Sequence, residues 1–207
     1  MLQKAIAPVF YDYLVGDGTA FVDTGLVLPA DSSMAGLFGW ETVKAGGQNI
    51  FGAFDVGGGE TGFTFGGATT NTNRQIVAFY DKASYVGTKT LAFSYASFGA
   101  ILTPKRYGFG NATSTLTKGT ARPSATLKIF GGYPTYTAYS GALKGDFTVY
   151  GADAQNATTY TALLAFTPIA TFRPCTYNGE AGLWYVEQNR FLGNAAASGA
   201  FTATNTI

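Results

Sequence analysis

The chain contains no histidine, and that one absence removes much of the usual catalytic repertoire. Imidazole is the common general base near neutral pH, the common zinc ligand and the proton carrier of serine and cysteine triads. Hydrolytic chemistry would therefore fall to the twelve carboxylates. A glycosidase built on strands needs two of them about 5 to 9.5 Å apart across the scissile bond. On a single strand such a pair sits two residues apart, where alternate side chains share a face. No two acidic residues are closer than five positions, and the nearest pairs, Asp12 with Asp17 and Asp55 with Glu60, straddle turn-like sequence. A pair assembled from separate strands stays open as the alternative. Cys175 is the only cysteine; it follows Pro174, has no histidine to activate it, and reads as a structural thiol. The glycines around Asp17 (GDGT) and before Glu60 (GGGE) lack the helix and lysine of a nucleotide loop and read as turns. Asn111-Ala-Thr and Asn156-Ala-Thr fit the glycosylation triplet, but no secretory leader accompanies them and they read as chance matches. No catalytic residue, cofactor or metal ligand is expected.

Binding chemistry is better represented. Sugars are held by aromatic faces with a few hydrogen-bonding groups beside them, and Tyr133, Tyr136 and Tyr139 recur every third residue in YPTYTAYSG, which reads as a surface loop. With Asn71 and Asn73 from another loop they are the candidate glycan contacts. The competing reading is subunit contact or loop packing, since tyrosine is enriched at protein interfaces generally.

The elements that must position these residues are strands. Aromatic residues make up 15% of the 207 positions, glycine supplies 28, and charged residues are only 12%, about half the share of an average soluble domain. A surface so poor in charge is covered either by Thr, Ser, Asn and Gly or by other subunits, where charges are depleted. Residues 1–12 read as a lead or docking segment, and 13–207 as a single domain. The stretch Tyr13 to Gly25, YLVGDGTAFVDTG, reads as a hairpin turning at Gly16 to Gly18. IFGAFDV and GFTFG flank a second turn, Asn178-Gly179 is a turn dipeptide, and Ala162 to Phe172 reads as strand after a polar loop. About a dozen short strands at near-regular spacing point to an all-β, two-layer antiparallel sandwich or jelly roll. Nucleic acid is not an expected partner: Lys105-Arg106 is the densest basic run, and phosphate binding needs more. Nor is a membrane, since no apolar run approaches about 18 residues, and MLQKAIAPVFYDY does not resemble a signal peptide.

Two stretches together resemble a known family. The opening resembles the start of the laminin-G-like, concanavalin A-like domains of tailed-bacteriophage proteins, through Tyr13, Gly18, Thr19, Val22, Asp23, Thr24 and Gly25. The close, FRPCTYNGEAGLWYVEQNRFLGNAAASGAF, is similar to that family's last segment through Pro174, Cys175, Gly182, Leu183, Phe191, Asn194, Gly199 and Phe201. One departure is Tyr185, where the family places an aspartate. The resemblance implies a jelly-roll sandwich whose first and last strands lie close together, and residence on a virion as tail fibre, baseplate, head-fibre or capsid decoration. Implied partners are other virion proteins, further copies of the chain and host surface polysaccharide. It does not imply catalysis; a dedicated tail receptor-binding protein and a carbohydrate-active hydrolase are the competing readings. Within the motif, Asp23 is expected to bond the backbone after its strand, and the two ends of the chain are expected to meet in one sheet.

Overall fold

The computed structural model describes residues 6–39, 46–55, 61–70, 73–81, 89–91, 98–109, 112–120, 122–132 and 137–206. Their order is β1 (Val9–Phe10), β2 (Tyr13–Asp17), β3 (Val22–Asp23), β4 (Ser33–Gly39), β5 (Gly46–Asp55), β6 (Thr61–Thr70), β7 (Asn73–Phe79), β8 (Lys89–Leu91), β9 (Phe98–Leu102), β10 (Arg106–Phe109), β11 (Ala112–Thr115), β12 (Lys128–Ile129), β13 (Thr137–Ala138), β14 (Ser140–Tyr150), α1 (Tyr160–Leu163), β15 (Pro168–Tyr177), β16 (Glu180–Tyr185), β17 (Arg190–Leu192) and β18 (Phe201–Thr204). The protein is all-β, as its composition predicts. Among the described residues no helix is long and apolar enough to cross a membrane.

The strands form two sheets. The larger runs β11-β10-β9-β4-β14-β15-β16-β17, with β2 between β14 and β18, and β1 against β15; the smaller runs β3-β12-β5-β6-β7-β8. Pairing is antiparallel except for β13, which lies parallel to β5. The sheets face each other across a core of rings. Phe38 of β4 stacks at 6.1 Å on Phe51 of β5, which also meets Phe65 at 5.2 Å and Phe147 at 5.0 Å. Each such pair contributes about 0.5 to 1.5 kcal/mol beyond the area it buries.

The opening stretch is not a hairpin. β2 and β3 belong to different sheets, because β14 and β18 already satisfy both edges of β2 and leave none for β3. Between them the chain crosses the sandwich. Asp17 Oδ1 accepts hydrogen bonds from Thr19 N at 2.8 Å, Thr19 Oγ1 at 2.7 Å and Ala20 N at 3.0 Å, with Gly18 at φ +88°. Such an Asx-type turn redirects the strand without pairing it to the next. The other oxygen, Oδ2, accepts from Ala200 N at 2.7 Å, just before β18. Burial alone would raise the Asp17 pKa, but the donations from Thr19, Ala20 and Ala200 outweigh it and hold the carboxyl well below the usual carboxylate range.

The ends do meet in one sheet: β18 pairs β2 from Phe201 opposite Gly16 to Thr204 opposite Tyr13, and the Phe201 ring reaches Phe130 in the core at 5.2 Å. Asp23 behaves as expected, its Oδ1 accepting from Gly25 N at 3.0 Å and Thr126 Oγ1 at 2.7 Å. The segment from Ala162 departs from expectation. Thr159 Oγ1 accepts from Ala162 N at 3.1 Å and caps the one-turn α1, so the strand begins only at Pro168.

Two substitutions check this closure. Asp23→Ala should lower the unfolding free energy in urea by about 1.5 to 3 kcal/mol, the range for bonds to a charged acceptor. Gly199→Ala should also destabilise, because this residue has φ +86° and an added Cβ would lie 2.9 Å from both Ala20 N and Asp17 Oδ1. Variants as stable as the parent chain would contradict the arrangement.

Candidate functional site

Of the residues singled out for glycan contact, Tyr133, Tyr136 and Asn71 lie outside the described residues, and Asn73 opens β7 opposite Thr70. Tyr139 corrects the loop reading. Residues 137 and 138 pair with β5, and the next ring drops into the core: Tyr139 is 0% exposed, its hydroxyl donates to Gly39 O at 2.8 Å, and it packs edge-on against Phe38. It has no face left for a ligand.

A different set of rings is accessible. β15 and β16 form a hairpin with Tyr177 opposite Glu180 around Asn178 (φ +52°) and Gly179 (φ +82°), the left-handed pair that an Asn-Gly turn supplies. β16 returns into β17, setting Trp184 between Arg173 and Phe191. Directly paired residues of antiparallel strands share a face, so Trp184 and Phe191 stand outward while Leu183, Tyr185 and Leu192 are buried. Tyr177 lies 5.7 Å from Trp184 and 5.7 Å from Phe191, tilted to each by 52° and 34°. Gly182, between Glu180 and Trp184, makes room for this: a Cβ there would lie 2.8 Å from the Phe191 ring.

The result is a shallow groove of about 460 Å³ lined by Tyr177, Asn178, Glu180, Trp184, Asn189, Arg190 and Phe191. Its two charged groups are anchored to the chain ends. Glu180 Oε1 accepts from Asn194 N at 3.3 Å, while Asn194 Oδ1 in turn accepts from Phe21 N at 3.3 Å. Arg190 crosses the edge of the sandwich, donating from Nη2 to Thr24 O at 2.7 Å and from Nε to Gln188 Oε1 at 2.7 Å. Tyr185 is buried against Phe172 at 4.7 Å beneath the Arg190 guanidinium. Chemically, the groove offers ring faces to C–H surfaces, and amide, carboxylate and guanidinium groups to hydroxyls. Among the described residues its lining holds one carboxylate, Glu180, where canonical glycoside hydrolysis uses a pair.

Two carboxylates do meet elsewhere. Lys118 Nζ bonds Asp31 and lies 3.6 Å from Asp81. Burial raises the Asp81 pKa against the pull of Lys118 and Arg122. The crevice beside them, lined by Leu28, Tyr80, Asp81, Arg122 and Pro123, has no volume for a water-sized body. It is a packing cluster. Among the described residues no three His, Cys, Asp or Glu side chains group as metal ligands would. Cys175, opposite Gly182, is 0% exposed, and burial pushes its thiol up to about 11.

The groove is not legible as a motif because its rings come from three strands. A usable signal existed: Tyr177 and Trp184 flank the Asn178-Gly179 turn at positions that alternate onto one face. Compared with known proteins, the chain matches no family model and no curated protein.

Cys175 should stay unreactive toward Ellman's reagent at pH 8 in the folded protein and react fully once unfolded in guanidinium, since both burial and a raised pKa withhold the thiolate. Rapid labelling of the folded protein would contradict its placement.

Proposed function

We propose that this chain is a non-enzymatic, laminin-G-like surface module of a tailed-bacteriophage virion, a decoration or accessory protein of capsid, head fibre or baseplate that contacts host surface polysaccharide. The observation that carries the reading is the groove: half-exposed Tyr177, Trp184 and Phe191 beside Asn178, Asn189, Glu180 and Arg190, with a single carboxylate. That set binds a polyhydroxylated ligand without the means to cleave it.

The virion assignment is supported by the paired motifs at the two ends. Their residues act on one another physically: Asn194 bonds Phe21, the backbone before Phe201 bonds Asp17, and Gly25 sits against Arg190. Low charge supports docking to other virion proteins or further copies, and so does the exposure of Ile6, Val9 and Phe10 in the lead segment, at 62%, 55% and 44%.

Mass spectrometry of purified particles tests the reading. The protein should be a stoichiometric component of the virion, and recombinant protein incubated with host surface polysaccharide should release no new reducing ends. Absence from the particle, or steady release of oligosaccharide, would overturn it.

A further inference from the structure

The shape and charge of the groove narrow its ligand, given the glycan-contact reading above. We propose that the groove between the β15–β16 and β16–β17 turns binds a soluble, twisted, uncharged polysaccharide chain spanning several sugar units.

Length comes first. Glu180 and Trp184 are four residues apart on one strand, roughly 13 Å at about 3.3 Å per residue, so a ligand touching both ends covers more than one sugar ring. Twist follows from the rings. Tyr177 is tilted by 52° to Trp184 and by 34° to Phe191, so the three faces form no common plane. A flat ribbon, as on the surface of a crystalline polysaccharide, cannot stack on all three at once. A chain that rotates from unit to unit can present a face to each.

Charge selects next. One carboxylate and one guanidinium line the groove, and their charges cancel. Both are already engaged, Glu180 by Asn194 N, and Arg190 by Thr24 O and Gln188, so they serve as fixed hydrogen-bonding groups rather than as a cationic cluster. A polyanion would need several basic groups together. Among the described residues the lining sets three rings beside two amides, one carboxylate and one guanidinium in a concave site of about 460 Å³, an arrangement of apolar faces with a few fixed polar groups that suits the C–H faces and hydroxyls of a sugar chain.

Affinity gel electrophoresis of the full chain tests this with soluble α-1,4-glucan, laminarin, dextran and yeast mannan, with dextran sulfate as polyanion and microcrystalline cellulose pull-down as the flat surface. At least one neutral soluble polymer should retard the protein. Trp184→Ala and Phe191→Ala should each weaken that retardation by about tenfold, the order expected when one stacking platform is lost, while Trp184→Phe should retain most of it. The conservative variant, with circular dichroism of all three, separates lost binding from lost folding. Retardation by none of the neutral polymers would overturn the inference, as would binding confined to dextran sulfate or cellulose, or binding insensitive to Trp184 and Phe191. A virion protein captured through Trp184 in place of any sugar would also overturn it. If the protein is found in virions but binds no neutral polymer, this inference fails and the virion reading stands; binding without virion residence gives the reverse.

Discussion

The Asp17 carboxylate is the constraint on which the rest of the structure depends. One oxygen gathers three donors from Thr19 and Ala20, and the other holds Ala200, so a single side chain turns the first long strand out of its sheet and fastens the last strand beside it. A carboxylate that accepts this many bonds favours its ionised form despite partial desolvation, which is why the group is held strongly acidic. Around it the geometry admits little variation. Gly199 has φ +86° and no room for a side chain, and on the inward face of β2 a Cβ on Gly16 would lie 2.9 Å from the Phe130 ring. Phe130 itself holds φ +67°, a conformation that costs a bulky residue energy and persists because Tyr139 and Phe201 pack against it.

From that fastening the groove inherits its order. The segment between β17 and β18 carries Asn194, which bonds Phe21 through its side chain and Glu180 through its backbone. Arg190 makes the matching connection from β17 to Thr24. Both charged groups of the groove are thus referred to the opening motif, and loosening the chain ends would loosen them. Preorganisation of this kind is what lets a shallow site bind without large ordering costs. The rings are positioned independently, by the Asn178-Gly179 turn and the space that Gly182 leaves.

Much of the fold is legible in the sequence because turn chemistry is local. Asn178-Gly179, Asp23 with Gly25, and the short β-rich runs each carry their own signal within a few residues. Sheet membership is not local. Whether β2 pairs with β3 depends on β14 and β18, more than a hundred residues further on, and no periodicity in YLVGDGTAFVDTG distinguishes a hairpin from a crossing. Tyr139 misleads for a related reason: its spacing from Tyr133 and Tyr136 suggests a shared surface, but burial is decided by the pairing of the two residues before it with β5. The groove is the same lesson with the opposite outcome, since Tyr177, Trp184 and Phe191 are ordinary strand residues until three strands bring them to one face.

The most direct measurement is the stability of the parent chain and of Asp17→Asn across pH. Because the folded-state pKa of Asp17 lies below its unfolded value, its contribution is fully present above the unfolded carboxylate range, near pH 4. It is lost as pH falls toward the folded value. The parent should therefore be clearly more stable than Asp17→Asn in urea at pH 6 to 7, and the gap should narrow steadily below about pH 4. A gap that is absent at pH 7, or that does not change on acidification, would contradict the claim that this carboxylate holds the two ends together.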